Sequence, residues 1–147
     1  MSIRVFYDGI KEKISDHAEV KRFLLKVIRN ENKTPGDLNL ILTTDEQLLK
    51  INREFLKHDY LTDVIAFDYS ERSVVSGEIY ISIDTVKRNS HKYKVSFSEE
   101  IIRVMIHGVL HLCGYDDRSE AGSEIMKKRE DERVDEYFRR RWSSYSI

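Results

Sequence analysis

Two histidines and an aspartate in the second half of the chain have the spacing of metal ligands. Residues 107–117 read HGVLHLCGYDD, which sets His107 and His111 four residues apart. On a helix, side chains at i and i+4 lie on one face about 5–6 Å apart, so both imidazoles can reach one ion. Gly114 can adopt the left-handed conformation that ends a helix, which would turn the chain back and bring Asp117 to the same point.

This donor set predicts an open, catalytic site. Two nitrogens and one carboxylate oxygen leave a position for water, as in catalytic zinc sites, whereas structural zinc sites are closed by four protein ligands. The pattern therefore favours a metal-dependent hydrolase whose chemistry is centred on the metal. The alternative is a pair of core histidines followed by an ordinary turn, which is disfavoured because buried imidazoles without partners are costly.

The third ligand has alternatives. Asp116 lies next to Asp117 and could instead orient a histidine through its second ring nitrogen. His58 lies beside Asp59 in a predicted loop and is another candidate. The general base is left unassigned.

The residue after the first histidine argues against a peptidase. Zinc peptidases of the His-Glu-x-x-His type carry their general base there, and this chain has Gly108. Asp116 or Glu130 could in principle replace that base, so a metallopeptidase is kept as a minor hypothesis.

Composition indicates a single globular domain over residues 1–147, with 40% hydrophobic and 35% charged residues. No apolar run approaches the roughly 20 residues that cross a bilayer, so no membrane partner is expected. Cys113 is the only cysteine, which excludes an intrachain disulfide and suits a reducing compartment. The N-terminus has no signal-peptide pattern. Together these features predict a cytoplasmic protein.

Charge is balanced overall but uneven along the chain. The net charge of −1 gives no global field that would attract nucleic acid. Two basic stretches stand out, one at 87–94 and one at 139–141. Such a patch can hold a phosphate backbone, although a solvated helix face is the commoner explanation of a charge run.

Hydrophobic periodicity predicts the elements that position these residues. Alternation indicates strands at 3–7, 38–42, 64–67 and 78–83. Helical patterns follow Asp16 and Asp84, and the first is expected to end before a turn at Pro35-Gly36. Capping-box patterns at Thr44 and Ser96 start two more helices, the second of which carries the histidines. A last amphipathic helix covers 125–138. The order predicts an α+β fold, with a small mixed four-stranded sheet covered by about five helices and a zincin-like histidine helix.

At this point a family resemblance emerges. Residues 107–117 resemble the motif His-Gly-x-Leu-His-Leu-x-Gly-Tyr-Asp-His of the YbeY family of rRNA maturation factors, and ten of the eleven positions agree when the two free ones are counted. A second region resembles the family's Asn-x-x-Tyr-Arg-x-x-Asp-x-Pro-Thr-Asp-Val-Leu-Ser-Phe block, at Asn52, Phe55, Asp59, Thr62, Asp63, Val64 and Phe67. Gly77-Glu78-Ile79 looks like its Gly-Asp-Ile strand, and Met126 and Glu130 fall where its final helix carries Met and Glu.

The resemblance implies a single-strand-specific endoribonuclease that acts in small-subunit rRNA 3′-end maturation and ribosome quality control. It implies one Zn²⁺ held by His107, His111 and the residue at Asp117, with other divalent metals admitted because Asp117 is a carboxylate. The implied partners are rRNA and the small ribosomal subunit, with ribosomal proteins or assembly GTPases as further candidates. The substrate-binding candidates are Lys57, Thr62, Asp63, Lys87, Arg88, Lys92 and Lys94.

Three departures from the family pattern matter. Asp117 stands in place of the third histidine, which makes the site more anionic. Leu56 stands in place of an arginine expected to meet phosphate, for which Arg53 or Lys57 are candidate replacements. Leu61 stands in place of a proline. The first two departures give weight to an alternative, a non-catalytic metal-containing factor for ribosome assembly that binds RNA.

Overall fold

A mixed four-stranded sheet with helices packed on it forms the frame of the protein. The computed structural model describes residues 2–57 and 61–143, with the backbone alone for 140–143. The elements in chain order are β1 (Ser2–Tyr7), α1 (His17–Asn30), β2 (Thr34–Thr43), α2 (Asp45–Ile51), a π-helical turn (Asn52–Leu56), β3 (Val64–Asp68), β4 (Val74–Ser82), α3 (Ile83–Tyr93), α4 (Phe97–Leu112) and α5 (Glu120–Ser143).

The sheet has the strand order β1-β2-β4-β3. The first three strands are parallel, and β3 runs antiparallel to β4 from the pair Val64–Ile81 to the pair Asp68–Gly77. β3 is therefore an edge strand, and the chain enters it directly from the segment beside the metal ligands. The described residues form five α-helices around one mixed sheet, which confirms the predicted α+β architecture.

The helix starts were predicted from side chains that cap backbone N–H groups. The hydroxyl of Thr44 accepts a hydrogen bond from the backbone N–H of Gln47 at 3.3 Å, and Ser96 does the same for Glu99 at 3.0 Å. Each bond satisfies an N–H that the first helical turn leaves unpaired. Both predicted N-caps are confirmed, while the side chain of Gln47 donates to Oδ2 of Asp8 at 3.3 Å.

α4 packs closely against the sheet because Gly108 has no side chain. A Cβ at Gly108 would stand only 2.7 Å from Cγ2 of Ile79, a fully buried residue of β4. Neighbouring α4 residues fill the core on both sides of this contact, among them Val104, Met105, Ile106, Val109 and Leu110. The absence of a side chain at position 108 thus serves helix–sheet packing.

The sequence interpretation was wrong at two boundaries. Pro35 and Gly36 do not form a turn but lie inside β2, where the pairing with β4 shifts register between Pro35 and Leu38. The chain turns earlier, at Asn32, whose φ of 60° is one that asparagine tolerates better than most residues. The strand predicted at 78–83 also begins sooner, at Val74, and Ile83 already starts α3.

Among the helices described, none has the length and apolar character that crossing a bilayer requires.

Candidate metal centre

The end of α4 turns the chain back toward its own histidines. Gly114 has a φ of 109°, which favours glycine. Its N–H donates to the carbonyl of His111 at 3.0 Å, and the N–H of Tyr115 donates to the carbonyl of Leu110 at 3.1 Å. These two bonds form a Schellman motif. The glycine that the sequence marked as a helix stop therefore reverses the chain as predicted.

The reversal brings three donor side chains together. Nε2 of His107 lies 3.5 Å from Oδ2 of Asp117, and Nε2 of His111 lies 3.4 Å from Oδ1 of the same carboxylate. One ligand atom from each of the three residues falls within 4.8 Å of the others. The predicted cluster of two imidazoles and a carboxylate is present in the fold.

The donor separations fit a metal ion better than hydrogen bonds. Both N···O distances exceed the roughly 2.7–3.2 Å of a hydrogen bond. They are close to the donor–donor edge of about 3.3 Å in tetrahedral zinc with bonds of about 2.0–2.1 Å, with each histidine facing a different oxygen of Asp117. The three residues therefore suit a small divalent cation, and their geometry leaves its identity open.

Glu130 on α5 binds Nδ1 of His107, the ring nitrogen that does not face Asp117. Its Oε2 lies 2.6 Å from Nδ1 of His107. A carboxylate only accepts, so Nδ1 carries the proton and the lone pair of Nε2 is left to face Asp117. A carboxylate that holds the outer nitrogen of a metal-binding histidine is the usual arrangement in such sites.

Asp116 does not have the orienting role that was proposed for it as an alternative. Its carboxylate accepts bonds from Nε of Arg118 at 3.1 and 3.0 Å and from Nη2 at 2.8 Å. The hydrogen bonds from Arg118 lower the pKa of Asp116 to about 2. The orienting carboxylate is Glu130, 23 residues away from His107 along the chain. Spacing alone gives no sign of this contact; the only sequence signal was the family match at Met126 and Glu130.

The site carries excess negative charge. Burial disfavours the imidazolium of His107, but the bond to Glu130 and the charges of Asp117 and Asp63 outweigh it and raise the histidine's pKa. Burial also raises the pKa of Asp63, and the opposing effect of His107 does not cancel it. Glu100, buried nearby, has a raised pKa for the same reason, reinforced by Asp63. Such a cluster attracts a cation.

Two cavities meet at this cluster. The larger, of about 680 Å³, contains the three candidate ligands and extends over the entry to β3; it is lined by Asn52, Leu56, Thr62, Asp63, Val64, Ile65, Ala66, His107, His111, Asp117 and Arg118. We call it the metal cavity. The second, of about 430 Å³, shares Asp63 and His107 with it and extends toward Tyr93 at the end of α3. The predicted substrate residues Thr62 and Asp63 thus lie at the candidate metal centre.

The other predicted substrate residues do not line the two cavities. Lys87 forms an ion pair with Glu12, and Arg88 pairs with Asp45 at 2.8 Å. Lys92 lies over the ring of Tyr93, 5.4 Å from its centroid. Among the described residues that line the two cavities, none is Lys57, Lys87, Arg88, Lys92 or Lys94. Their contact with RNA stays a prediction.

Cys113 is a poor candidate for a further ligand, and the structure does not describe His58. Cys113 is buried, and burial raises its pKa to about 12, so its thiol is unsuited to bind metal as thiolate. His58, the alternative third ligand, lies outside the described residues, as does Asp59. Arg118, which the sequence interpretation did not consider, lines the metal cavity.

Comparison with known proteins supports the resemblance. A family model described as endoribonuclease YbeY matches residues 8–138. The chain belongs to the YbeY family. It is 48% identical to endoribonuclease YbeY of Flavobacterium psychrophilum over 121 residues, covering 82% of this chain and 86% of that one. It is 39% identical to the Bacteroides fragilis protein of the same name over 130 residues, covering 88% and 94%.

The fold agrees with a solved structure. The solution structure of TM1509 from Thermotoga maritima superposes with a TM-score of 0.68 at 28% identity, covering 99% of this chain and 94% of that one. Both the family and the α+β fold expected from the sequence are therefore confirmed.

Proposed function

We propose that this protein is a metal-dependent endoribonuclease that cleaves single-stranded rRNA, acting in 3′-end maturation of the small-subunit rRNA and in ribosome quality control. Membership in a family of endoribonucleases supports RNA cleavage. One observation carries the metal dependence: Nε2 of His107 and Nε2 of His111 each face an oxygen of Asp117, and one ligand atom from each of the three residues lies within 4.8 Å of the others, in a cavity large enough for a nucleotide.

His107, His111 and Asp117 would hold one Zn²⁺. Three protein ligands leave room for a further donor, which separates this set from closed structural sites. When bound, the ion would act as a Lewis acid on a phosphoryl oxygen and stabilise the charge that builds up during cleavage. The carboxylate of Asp117 also admits harder divalent ions.

Two further carboxyl groups have supporting roles: Glu130 orients His107, and Asp63 transfers a proton. Glu130 keeps His107 in the tautomer whose Nε2 faces the cavity, so the ring needs no reorganisation. Asp63 is the one carboxyl, besides Asp117, among the described residues that line the metal cavity. Its raised pKa moves it toward the range in which a carboxyl can both hold and release a proton near neutral pH. We assign proton transfer to the Asp63 carboxyl.

RNA would approach across the two cavities. Thr62 and Asp63 lie at the metal cavity, and Lys57 follows the π-helical turn next to Leu56, which lines it. Lys92 and Lys94 flank Tyr93 at the end of α3, next to the second cavity, and suit a strand that leaves the site there. Lys87 and Arg88 line neither cavity and pair with Glu12 and Asp45, so a weaker contribution is expected from them.

The proposed partners follow from the family. They are rRNA and the small ribosomal subunit, with ribosomal proteins or assembly GTPases as further partners, and the proposed location is the cytoplasm. A pull-down from a cell extract with and without ribonuclease treatment would separate partners held through rRNA from those held by protein contacts.

The deciding experiment compares zinc-loaded wild type with His111→Ala on an rRNA 3′-end fragment. The His111 side chain is about one-third exposed (35%), so its truncation should leave the fold intact. Cleavage by the wild type and none by the variant supports a metal-centred nuclease. Equal cleavage by both points to a contaminant, and cleavage by neither refutes the proposal.

A second function is favoured by Leu56. This apolar residue is 39% exposed and lines the metal cavity at the family's arginine position. A non-catalytic assembly factor could tolerate that loss; it would bind the rRNA fragment and leave it intact with or without metal. The metallopeptidase alternative has no such support, because Gly108 is committed to packing on Ile79.

A further inference from the structure

The metal cavity needs a cation that its candidate ligands do not provide. Asp63 and Asp117 line it, and Glu130 lies directly behind His107. An RNA phosphate is itself an anion, so it would be repelled by these carboxylates wherever the metal does not neutralise them. Leu56, which also lines the cavity, contributes no charge.

Arg118 is the one permanently charged cation among the described residues that line this cavity. It follows Asp117 by one residue, in the segment between the Schellman turn and α5. Its position relative to the candidate ligands is therefore fixed by the same turn that brings Asp117 to the histidines.

Asp116 binds one edge of the Arg118 guanidinium, which leaves the N–H groups of the other edge able to donate. Asp116 accepts bonds from Nε and Nη2, and its Oδ1 also accepts the backbone N–H of Arg118 at 2.9 Å. Guanidinium has five N–H donors in a planar fork, and this contact uses two of them. The N–H groups of Nη1 and the second one of Nη2 form a further edge, whose spacing matches two oxygens of a phosphate.

Stability does not account for this pair. The Arg118 side chain is 89% exposed and that of Asp116 is 50% exposed, and ion pairs in such positions contribute little to folding. What the contact does achieve is orientation, because a free arginine side chain would otherwise sample many rotamers. A fixed guanidinium beside a metal site is suited to bind an anion.

We infer that Arg118 binds a non-bridging phosphate oxygen of the RNA strand at the metal centre, with Asp116 as the residue that positions it. The inference rests on the proposed function and names the charged contact that completes the site. In this chain Arg118 supplies the cation that Leu56 does not, from a different element of the fold.

The test uses Arg118→Gln and Arg118→Lys, with Arg4→Gln as the matched control. Arg4 is also exposed but lies on β1, at the sheet edge opposite β3. Binding of a fluorescein-labelled unstructured RNA is measured by anisotropy with metal-free protein in EDTA, across about 50–200 mM KCl. Cleavage of the same RNA by the zinc-loaded proteins gives kcat/KM.

Loss of one phosphate contact on a single strand should make the slope of log K against log salt shallower by about 0.7. We expect this for Arg118→Gln, together with a fall in kcat/KM of about ten- to a hundredfold. Arg118→Lys should keep the wild-type slope and recover only part of the cleavage, because an ammonium cannot form the planar fork. Arg4→Gln should match the wild type in both.

The inference is overturned if Arg118→Gln keeps the wild-type salt slope, or if its slope changes while its kcat/KM stays within about twofold of wild type. The latter result would place the contact away from the reacting phosphate. An inactive wild type would refute the proposed nuclease function separately, and the slope would then still decide whether Arg118 binds phosphate. No RNA binding by the metal-free wild type would overturn the inference about Arg118, whereas the nuclease function would still be decided by cleavage with the zinc-loaded protein.

Discussion

Glu130→Gln tests how much of the metal site depends on a residue that is not a ligand. Glutamine keeps the size of the side chain and an oxygen that can accept from Nδ1 of His107, so the substitution removes mainly the charge. Glu130 is 12% exposed, so water screens the 2.6 Å contact weakly, and the bond is of the stronger, charge-assisted kind.

The expected loss is in metal affinity. Removing carboxylates behind metal-binding histidines costs about 10–100-fold, which corresponds to about 1.4–2.7 kcal/mol. Because the contact is short and poorly exposed, we expect the variant to fall in the upper half of this range. The measurement is competition for zinc against a chromophoric chelator, with His111→Ala as the reference for loss of a ligand.

The pH of this assay matters. Metal binds the neutral imidazole, and Glu130 raises the pKa of His107 in the metal-free protein despite its burial. A proton therefore competes with the metal, and wild-type affinity should fall as pH decreases through this raised pKa. Glu130→Gln lowers that pKa and so relieves part of the competition. The comparison belongs at about pH 8, above the ordinary histidine range, where only the direct effect remains.

Glu132→Gln is the control, because Glu132 is exposed on the same helix and forms its ion pair with Arg129, at 3.4 Å, rather than with a residue of the site. It should bind zinc as the wild type does. Thermal melts of the metal-free proteins check that folding is equal. An affinity of Glu130→Gln within twofold of wild type at pH 8 would refute the idea that this contact prepares the ligand.

Three more outcomes are expected. Gly108→Ala places a Cβ 2.7 Å from Ile79 and should lower the free energy of unfolding by about 1–3 kcal/mol in urea titration; an unchanged midpoint would contradict the packing argument. Burial favours protonated Glu31, but hydrogen bonds from Tyr115 and Arg133 outweigh it and lower its pKa. Its contribution is therefore present above the unfolded-state pKa and lost as pH falls through the folded-state pKa, so wild type and Glu31→Gln should differ in stability at pH 7 and converge below about pH 4. Removal of metal by EDTA should lower the melting temperature of wild type but not of His111→Ala, as measured by calorimetry.

Local rules account for what the sequence could predict. The i,i+4 spacing of the histidines, the helix-ending glycine and the two N-cap side chains all act within a few residues, so their geometry follows from the order of residue types. The strands followed from alternation for the same reason. The cluster of His107, His111 and Asp117 is an extension of these local rules across one turn.

Contacts between distant segments could not be predicted this way. Glu130 reaches His107 only because α5 packs beside α4, and Lys87 meets Glu12 across 75 residues. A basic stretch seen in the sequence does not show which of its charges are neutralised by partners from other elements. Pro35 and Gly36 resemble a turn locally, but pairing with β4 holds them in a strand.

Gly108 also has a geometric consequence for the histidine beside it. Successive residues on a helix point about 100° apart. The close packing of Gly108 on Ile79 therefore fixes the rotation of α4 about its own axis. That rotation places His107 and His111 in the cavity beside the edge strand β3. A bulkier residue at 108 would roll the helix, and both imidazoles would turn together. Their spacing to each other and to Asp117, which follows on the same turn, would survive, while the contact of His107 with Glu130 on α5 would be lost. The direction in which this site faces is therefore set by a residue that contributes no atom to it.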